Sequence, residues 1–356
     1  MKFALNDIQA MLQDQAGRLL ADHGSHERLQ AIVDGASAAD EGLWDALRDM
    51  GLAGLLLPEA VGGVGLGLVE AALISEMIGR HAMPTPLFGH WAATSILASA
   101  QDERIAALLP AMASGERLCT VAFGEAENRW LPSEWQCVLA GDRLTGTKLF
   151  VPGAAEAGLV LVGVAGGAMA LVDLAAPGVT IEAMDGVDRT RPMSRIRFEE
   201  AAAIALDGAA AQRAFDATLI LLAADAFGGA SRAIDLTVDY LKTREQFGTV
   251  IGRFQAVKHQ IANVATQIEP CRALYWYAAY AFDHVPTEAS AMAALAKAHI
   301  SDRFLQAARD CVELHGGIGY TWEYDLHIWL KRAMVDFAWA GAPDVHRLRY
   351  ADATGW

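Results

Sequence analysis

The chain has 356 residues, 53% of them hydrophobic, which at roughly 100–200 residues per domain allows two or three packed units. Its 28 Lys and Arg are outnumbered by 43 Asp and Glu, a formal net charge of -15; a nucleic-acid footprint needs clustered cations and is not expected. No apolar run reaches the roughly 18 uncharged residues of a membrane span, and MKFALNDIQAMLQDQAGRLL alternates charge at helical spacing where a secretory signal has an apolar block, so a cytoplasmic protein that touches no membrane is expected.

The first segment, 1–117, reads as helical. Ile8, Met11 and Leu12, then Leu43, Trp44 and Leu47, then Leu73, Ile74, Met77 and Ile78 recur at spacings of three and four. Breaks fall at Gly51, at 58–67 and at 83–89, where two prolines end a helix. The glycines of PEAVGGVGLG suit positive φ or close backbone approach, a structural role.

The texture changes over 118–208. LCTVAF, QCVLA, RLTGTKLFV, GLVLVGV, AMALVDL, VTIEAM and SRIRF are short β-prone runs separated by turn residues, the pattern of an antiparallel sandwich or barrel. The apolar stretch 158–172 carries Gly166-Gly167 and reads as two strands with a turn. The helical period returns over 209–356, in about four long helices broken at Phe247, at 285–286 and at 315–319. The fold class expected is α+β: a helical domain, an antiparallel β domain and a helical bundle. Cys119, Cys137, Cys271 and Cys311 are dispersed among apolar neighbours without ligand spacing, so reduced structural thiols are expected and a metal site is not.

Chemistry concentrates in 240–266, the end of one long helix, a Gly-containing turn and the start of a second. Arg244, Gln246, Phe247 and Gly248, followed by Arg253 and Gln255, place a planar cation, amides and a ring close together. Guanidinium matches phosphate oxygens in a bidentate fork, so an anionic, partly aromatic ligand such as a dinucleotide would suit this set. The plainer alternative is a helical hairpin with a solvated Arg and a buried Phe.

Resemblance separates the two. RxxFGxxxxxFQ at 244–255, ELHGGIGYTWEYDLHIWLKR at 313–332 and LWDALRDMGLAGLLLPEAVGGVGLGLVEAALISEMIGR at 43–80 together resemble, in order over most of the chain, the acyl-CoA dehydrogenase family of flavoenzymes. The resemblance implies FAD lying between the β domain and the bundle, with part of the dinucleotide held by a neighbouring subunit. Arg244, Gln246, Phe247, Gln255 and the Gly316-Gly317 turn match that second role, and Glu313 stands where the family has Gln. On the flavin-ring side the family's motifs fall on Thr120 to Gly124 and on Phe150-Val151-Pro152, where Phe150 keeps an aromatic face but Pro152 has no N–H.

The family removes the α proton of an acyl-CoA with a Glu while the β hydride passes to the flavin. The matching position here is Ala340, and the alternative base position of some members is Thr218. Asp216 and Thr218 match a family segment near the substrate, while the Arg expected beside the base is Leu219. Asp216 equally suits a helix N-terminus, where an acid stabilises the macrodipole. No catalytic residue is therefore expected in this chain.

Asp225 in LILLAADAFGGA reads as a buried acid paired with an Arg of a facing helix. Glu125 and Glu127 read as a solvated loop, His315 and His259 as packing histidines, and the cluster Tyr275 to Phe282 as core or interface. The expectation is a FAD-dependent acyl-CoA dehydrogenase subunit that lacks the base and completes the FAD site of a homologous catalytic subunit in a mixed tetramer. Mixed tetramers of this kind occur in the family in bacterial steroid side-chain breakdown. The alternatives are a structural subunit without flavin, or a homo-oligomer with other flavin chemistry that recruits Glu125 or Asp225. The acyl chain is not legible.

Overall fold

The apolar period changes twice along the chain, and the computed structural model, which describes residues 4–36, 40–206 and 208–356, changes architecture with it. The first segment holds α1 (Asp7–His23), α2 (His26–Val33), α3 (Glu41–Asp49), α4 (Leu68–His81), α5 (Leu87–Leu97), α6 (Glu103–Ala106) and α7 (Leu109–Ala113). Polar caps set the first starts: Asn6 and Gln9 form a reciprocal capping box on α1, Ser25 caps α2 and Asp40 caps α3. α4 ends at Ala82 in the left-handed region, and α5 begins only after Pro86.

The strands are β1 (Cys119–Ala122), β2 (Val138–Ala140), β3 (Arg143–Pro152), β4 (Leu159–Val164), β5 (Ala168–Asp173), β6 (Val179–Met184) and β7 (Met193–Leu206). They form a seven-stranded sheet in the order β1-β4-β5-β7-β3-β2, with β6 also on β7. The expected antiparallel pattern holds except for β1, which pairs parallel with β4 because the β2–β3 hairpin is inserted between them. Along β4 alternate residues face two cores. Leu159 and Leu161 join the helical core, while Val160, Val162 and Val164 join the core inside the β domain, so the strand is apolar throughout.

The last segment holds α8 (Gly208–Thr243), a small hairpin of β8 (Glu245–Gln246) and β9 (Thr249–Val250), α9 (Gln255–Ile268), α10 (Cys271–His284), α11 (Pro286–His315), α12 (Leu326–Ala338) and α13 (Pro343–Thr354). The second long helix of the expectation is two, α9 and α10, interrupted at Pro270. Among the described residues α8 alone is long and apolar enough to cross a membrane, but 83% of its most apolar window is buried inside the protein, as in a core helix. Its glycines let α4 approach closely: a Cβ on Gly228 would lie 1.8 Å from the Glu76 carbonyl oxygen, and one on Gly79 would lie 2.0 Å from that of Asp225. All four cysteines are buried and unpaired.

Candidate functional site

The seam between the β domain and the bundle is built by the end of α12. After Ala338 the chain leaves the helix at Trp339 in extended geometry and turns through Ala340 (φ 60) and Gly341 (φ 103). The Trp339 indole N–H donates to the Phe150 carbonyl oxygen at 2.8 Å, and the Ala340 carbonyl oxygen lies 2.9 Å from His346 Nε2. Phe150 sits at an irregularity of the β3–β7 register with φ 56, and a bulge of this kind re-aims a side chain. Trp339 packs edge-on to Phe88 and tilted on Trp130, which in turn packs on Phe150. Ala340, at the expected base position, is fully buried and presents a methyl group.

Behind this loop lies an ionic network that confirms the pairing expected for Asp225. Arg332 of α12 grips Asp225 of α8 with two donors, at 2.9 and 2.5 Å, and donates a third to Thr190 Oγ1 at 2.8 Å. Arg191 bridges Asp225 and Asp336. Burial opposes the Asp225 charge, but Arg332 and Arg191 outweigh it and hold this carboxyl below its ordinary range. Asp336 is ion-paired with Arg191, and burial, reinforced by the Asp225 charge, pushes it up to about 7. Thr190, Arg191, Asp225 and Arg332 line a cavity of about 460 Å³ whose walls include Leu43, Leu47, Met83, Phe88 and Pro152.

Glu125 corrects its solvated-loop expectation. It is buried, ion-paired with Lys148 Nζ at 2.6 Å, and accepts from the N–H groups of Gln136 and Cys137. Burial raises this carboxyl, yet Lys148 and the amides bring it below its ordinary value. Lys148 also donates to the Phe123 carbonyl oxygen, and the Thr120 hydroxyl donates to that of Pro152, so the strand ends matching the family's flavin motifs satisfy one another. Both acids considered for recruitment, Glu125 and Asp225, are thus locked in ion pairs.

Asp216 and Thr218, expected near the substrate, have their polar groups taken up within the protein. Asp216 lies two turns inside α8, past the first-turn position that a macrodipole role requires. Gln212, Ser290 and Arg349 take up its carboxylate. The Thr218 hydroxyl donates to the Ala214 carbonyl oxygen within the helix. Both residues are buried.

The nucleotide-side residues are displayed on the surface. Arg244, Gln246, Gln255, Glu313, Gly316 and Gly317 are exposed, and Phe247 is 94% exposed, contrary to the alternative of a buried Phe. Phe247 (φ 53) and Gly248 (φ 76) form the tip of the β8–β9 hairpin, with Phe254 edge-on at 6.1 Å. Both central residues at positive φ make the turn that best joins two twisted strands. Tyr240 of α8 stacks on His315 at 4.4 Å and its hydroxyl donates to the His315 carbonyl oxygen, tying the Arg244 end of α8 to the Gly316 turn. His315 is the packing residue expected, whereas His259 lies exposed on α9. Sequence reasoning missed Lys148, Arg191, Lys297 and Trp130, whose partners lie far along the chain. Among the described residues no group of three His, Cys, Asp or Glu can hold a metal.

With FAD implied by the resemblance, the residues divide. The hairpin and Gly-Gly turn offer a free guanidinium, amides and backbone N–H groups, a set that fits a nucleotide. At the seam Trp339 and Trp130 pack on one another and Trp339 is hydrogen-bonded to Phe150, beside the cavity of about 460 Å³ that Phe88 and Pro152 help to wall.

A helical domain, a β domain and a helical bundle meeting at such a seam define an acyl-CoA-dehydrogenase-like architecture. Family models for the acyl-CoA dehydrogenase N-terminal domain match 6–116 and those for the C-terminal domain match 207–354, and the chain belongs to the acyl-CoA dehydrogenase family. It is 32% identical over 324 residues to the acyl-CoA dehydrogenase IpdE2 of Mycobacterium tuberculosis, covering 91% of this chain and 90% of that one. Among solved structures it is similar to the Tcur3481–Tcur3483 steroid ACAD (33% identity, TM-score 0.91, 98% of both chains). It shares its fold with the ChsE4–ChsE5 complex of Mycobacterium tuberculosis (23% identity, TM-score 0.88, covering 100% of this chain and 99% of that one).

Proposed function

We propose that this chain is the base-lacking subunit of a heteromeric acyl-CoA dehydrogenase and completes the FAD site of a homologous catalytic partner. The observation that carries the proposal is the state of Ala340: the position matching the family's base holds a sealed methyl group under Trp339. A carbon acid cannot lose its proton without an acceptor in reach, and the nearby acids Asp225 and Asp336 are engaged with arginines. The 94% exposure of Phe247 supports the second half, since an aromatic ring left in water at a hairpin tip is a contact for something else.

FAD, when bound, supplies the hydride acceptor. This chain's share is to hold its nucleotide half. Arg244 pairs with phosphate oxygens, Gln246 and Gln255 donate amide hydrogens, Phe247 covers a ring face, and the Gly316-Gly317 backbone comes close without a Cβ in the way. Glu313 is the misfit, a carboxylate beside phosphates. Asp216 and Thr218 support the packing of α8. The similarity to a steroid ACAD favours a fused-ring acyl-CoA as substrate of the complex.

A subunit with no flavin near its surface is the second reading, favoured by the strand ends at Thr120 and Phe123, whose polar groups are taken up by Pro152 and Lys148. Arg244→Ala separates the two: in the purified complex it lowers FAD retention if this chain clasps the nucleotide and leaves it unchanged if the chain is structural only.

A further inference from the structure

A fully buried ammonium that forms no ion pair among the described residues calls for a reason. Lys297 of α11 has no exposed surface, and its Nζ donates to the carbonyl oxygens of Asp336 at 2.6 Å and Phe337 at 3.1 Å, with Ser301 Oγ at 3.4 Å. An apolar side chain would fill this space without the cost of desolvating a charge. The two carbonyls belong to the last turn of α12, where four carbonyls lack intrahelical donors and the helix dipole is negative. Two residues beyond Phe337, the Trp339 indole reaches the Phe150 carbonyl, and Ala340 follows at positive φ.

We propose that Lys297 is a positioning residue for the 339–341 loop: its ammonium pins the end of α12, so that Trp339 stays closed on Phe150. This pinning does not depend on the function proposed above. The contact joins α11 to α12, and Trp339 then joins α12 to β3, so one buried cation sets where the bundle meets the β domain.

The charges that act on Nζ come from three sides: Asp336 on α12, with Asp225 of α8 behind it; Arg191 from the loop before β7; and His346 on α13, which burial keeps neutral. Burial lowers the ammonium to about 7 against the pull of Asp336. Deprotonation removes one donor and the attraction to the helix end, so the pin weakens as pH rises through neutrality.

The test uses the full-length chain. Amide hydrogen exchange over 338–341, corrected for the intrinsic pH dependence, and the emission difference between wild type and Trp339→Phe are followed through neutral pH. Protection is expected to fall at least about tenfold as pH rises, in keeping with loss of a charge-assisted hydrogen bond. Lys297→Met should show the weakened state at every pH. Asp336→Asn, which keeps the backbone carbonyl and removes the other group titrating near neutrality, should retain the transition. If Lys297→Met does not fold, the wild type and Asp336→Asn still decide. A flat wild-type profile, a transition lost in Asp336→Asn, or one kept in Lys297→Met would overturn the proposal. FAD binding by the chain alone would refute the proposed function without touching this result.

Discussion

The Trp339 indole N–H meets the Phe150 carbonyl oxygen at 2.8 Å and binds the loop at the base position to the bulge of β3. The contact links two residues far apart in the chain, one in a stretch expected from the resemblance to match a flavin motif and the other next to the expected base position. Trp339→Phe should cost about 1 kcal/mol, the net value of one hydrogen bond, while Trp339→Ala should cost about 3–5 kcal/mol by emptying the core. Urea unfolding of the two variants checks the ratio, and equal losses would show that the hydrogen bond contributes nothing beyond packing.

Arg332 and Asp225 form a buried pair with two hydrogen bonds. Arg332→Met leaves Asp225 with Arg191 alone and should destabilise by about 3–5 kcal/mol, the penalty for breaking a buried pair. The double variant Arg332→Met with Asp225→Leu should recover a large part of that loss. Chemical denaturation of both, as a double-mutant cycle, reads the coupling directly.

The contributions of two buried groups to stability together pass through a minimum near neutrality, against the opposite acid-side trend of His81, His90 and His346, which burial keeps neutral. Asp336 is raised to about 7 by burial, so the folded state holds a proton that the unfolded state has released, and stability falls as pH climbs from the ordinary carboxylate range toward 7. Lys297 is lowered to about 7 by burial, so above 7 the unfolded state holds the extra proton, and stability rises again toward the ordinary lysine value. Asp336→Asn should flatten the acid limb and Lys297→Met the alkaline limb of a plot of urea midpoint against pH.

Gly228 sits where α8 crosses α4, with room for no Cβ beside the Glu76 carbonyl. Gly228→Ala should destabilise by about 1–3 kcal/mol or more, by overpacking. Gly316→Ala meets no neighbour within 4 Å, so its expected cost arises only from its positive φ, about 1 kcal/mol. Thermal unfolding of the pair distinguishes crowding from backbone strain.

Much of this fold is legible in local pattern. The switch from spacing of three and four to short β-prone runs marks where β1 begins, and Gly166-Gly167 marks the β4–β5 turn, because these depend on neighbours in the chain. The parallel β1–β4 pair was not legible, since an inserted hairpin separates its strands. Lys148 finds Glu125 across 23 residues and Lys297 finds the Asp336 carbonyl across 39, and local spacing carries no sign of either. Phe247 shows the opposite failure: a Phe beside a Gly reads as core by propensity, yet the I′-like turn holds it out in water. The expectation that Ala340 stands at the base position rests on resemblance alone, and the packing of Trp130 on Trp339 beside it is carried by no local spacing.

The central claim is most directly tested by counting FAD in the chain purified alone and in complex with a co-encoded, Glu-containing homologue. The account predicts no flavin absorbance and no acyl-CoA oxidation from the chain alone, flavin and activity in the complex, and reduced FAD retention in the complex carrying Arg244→Ala. Stoichiometric FAD together with acyl-CoA oxidation by this chain alone would contradict it.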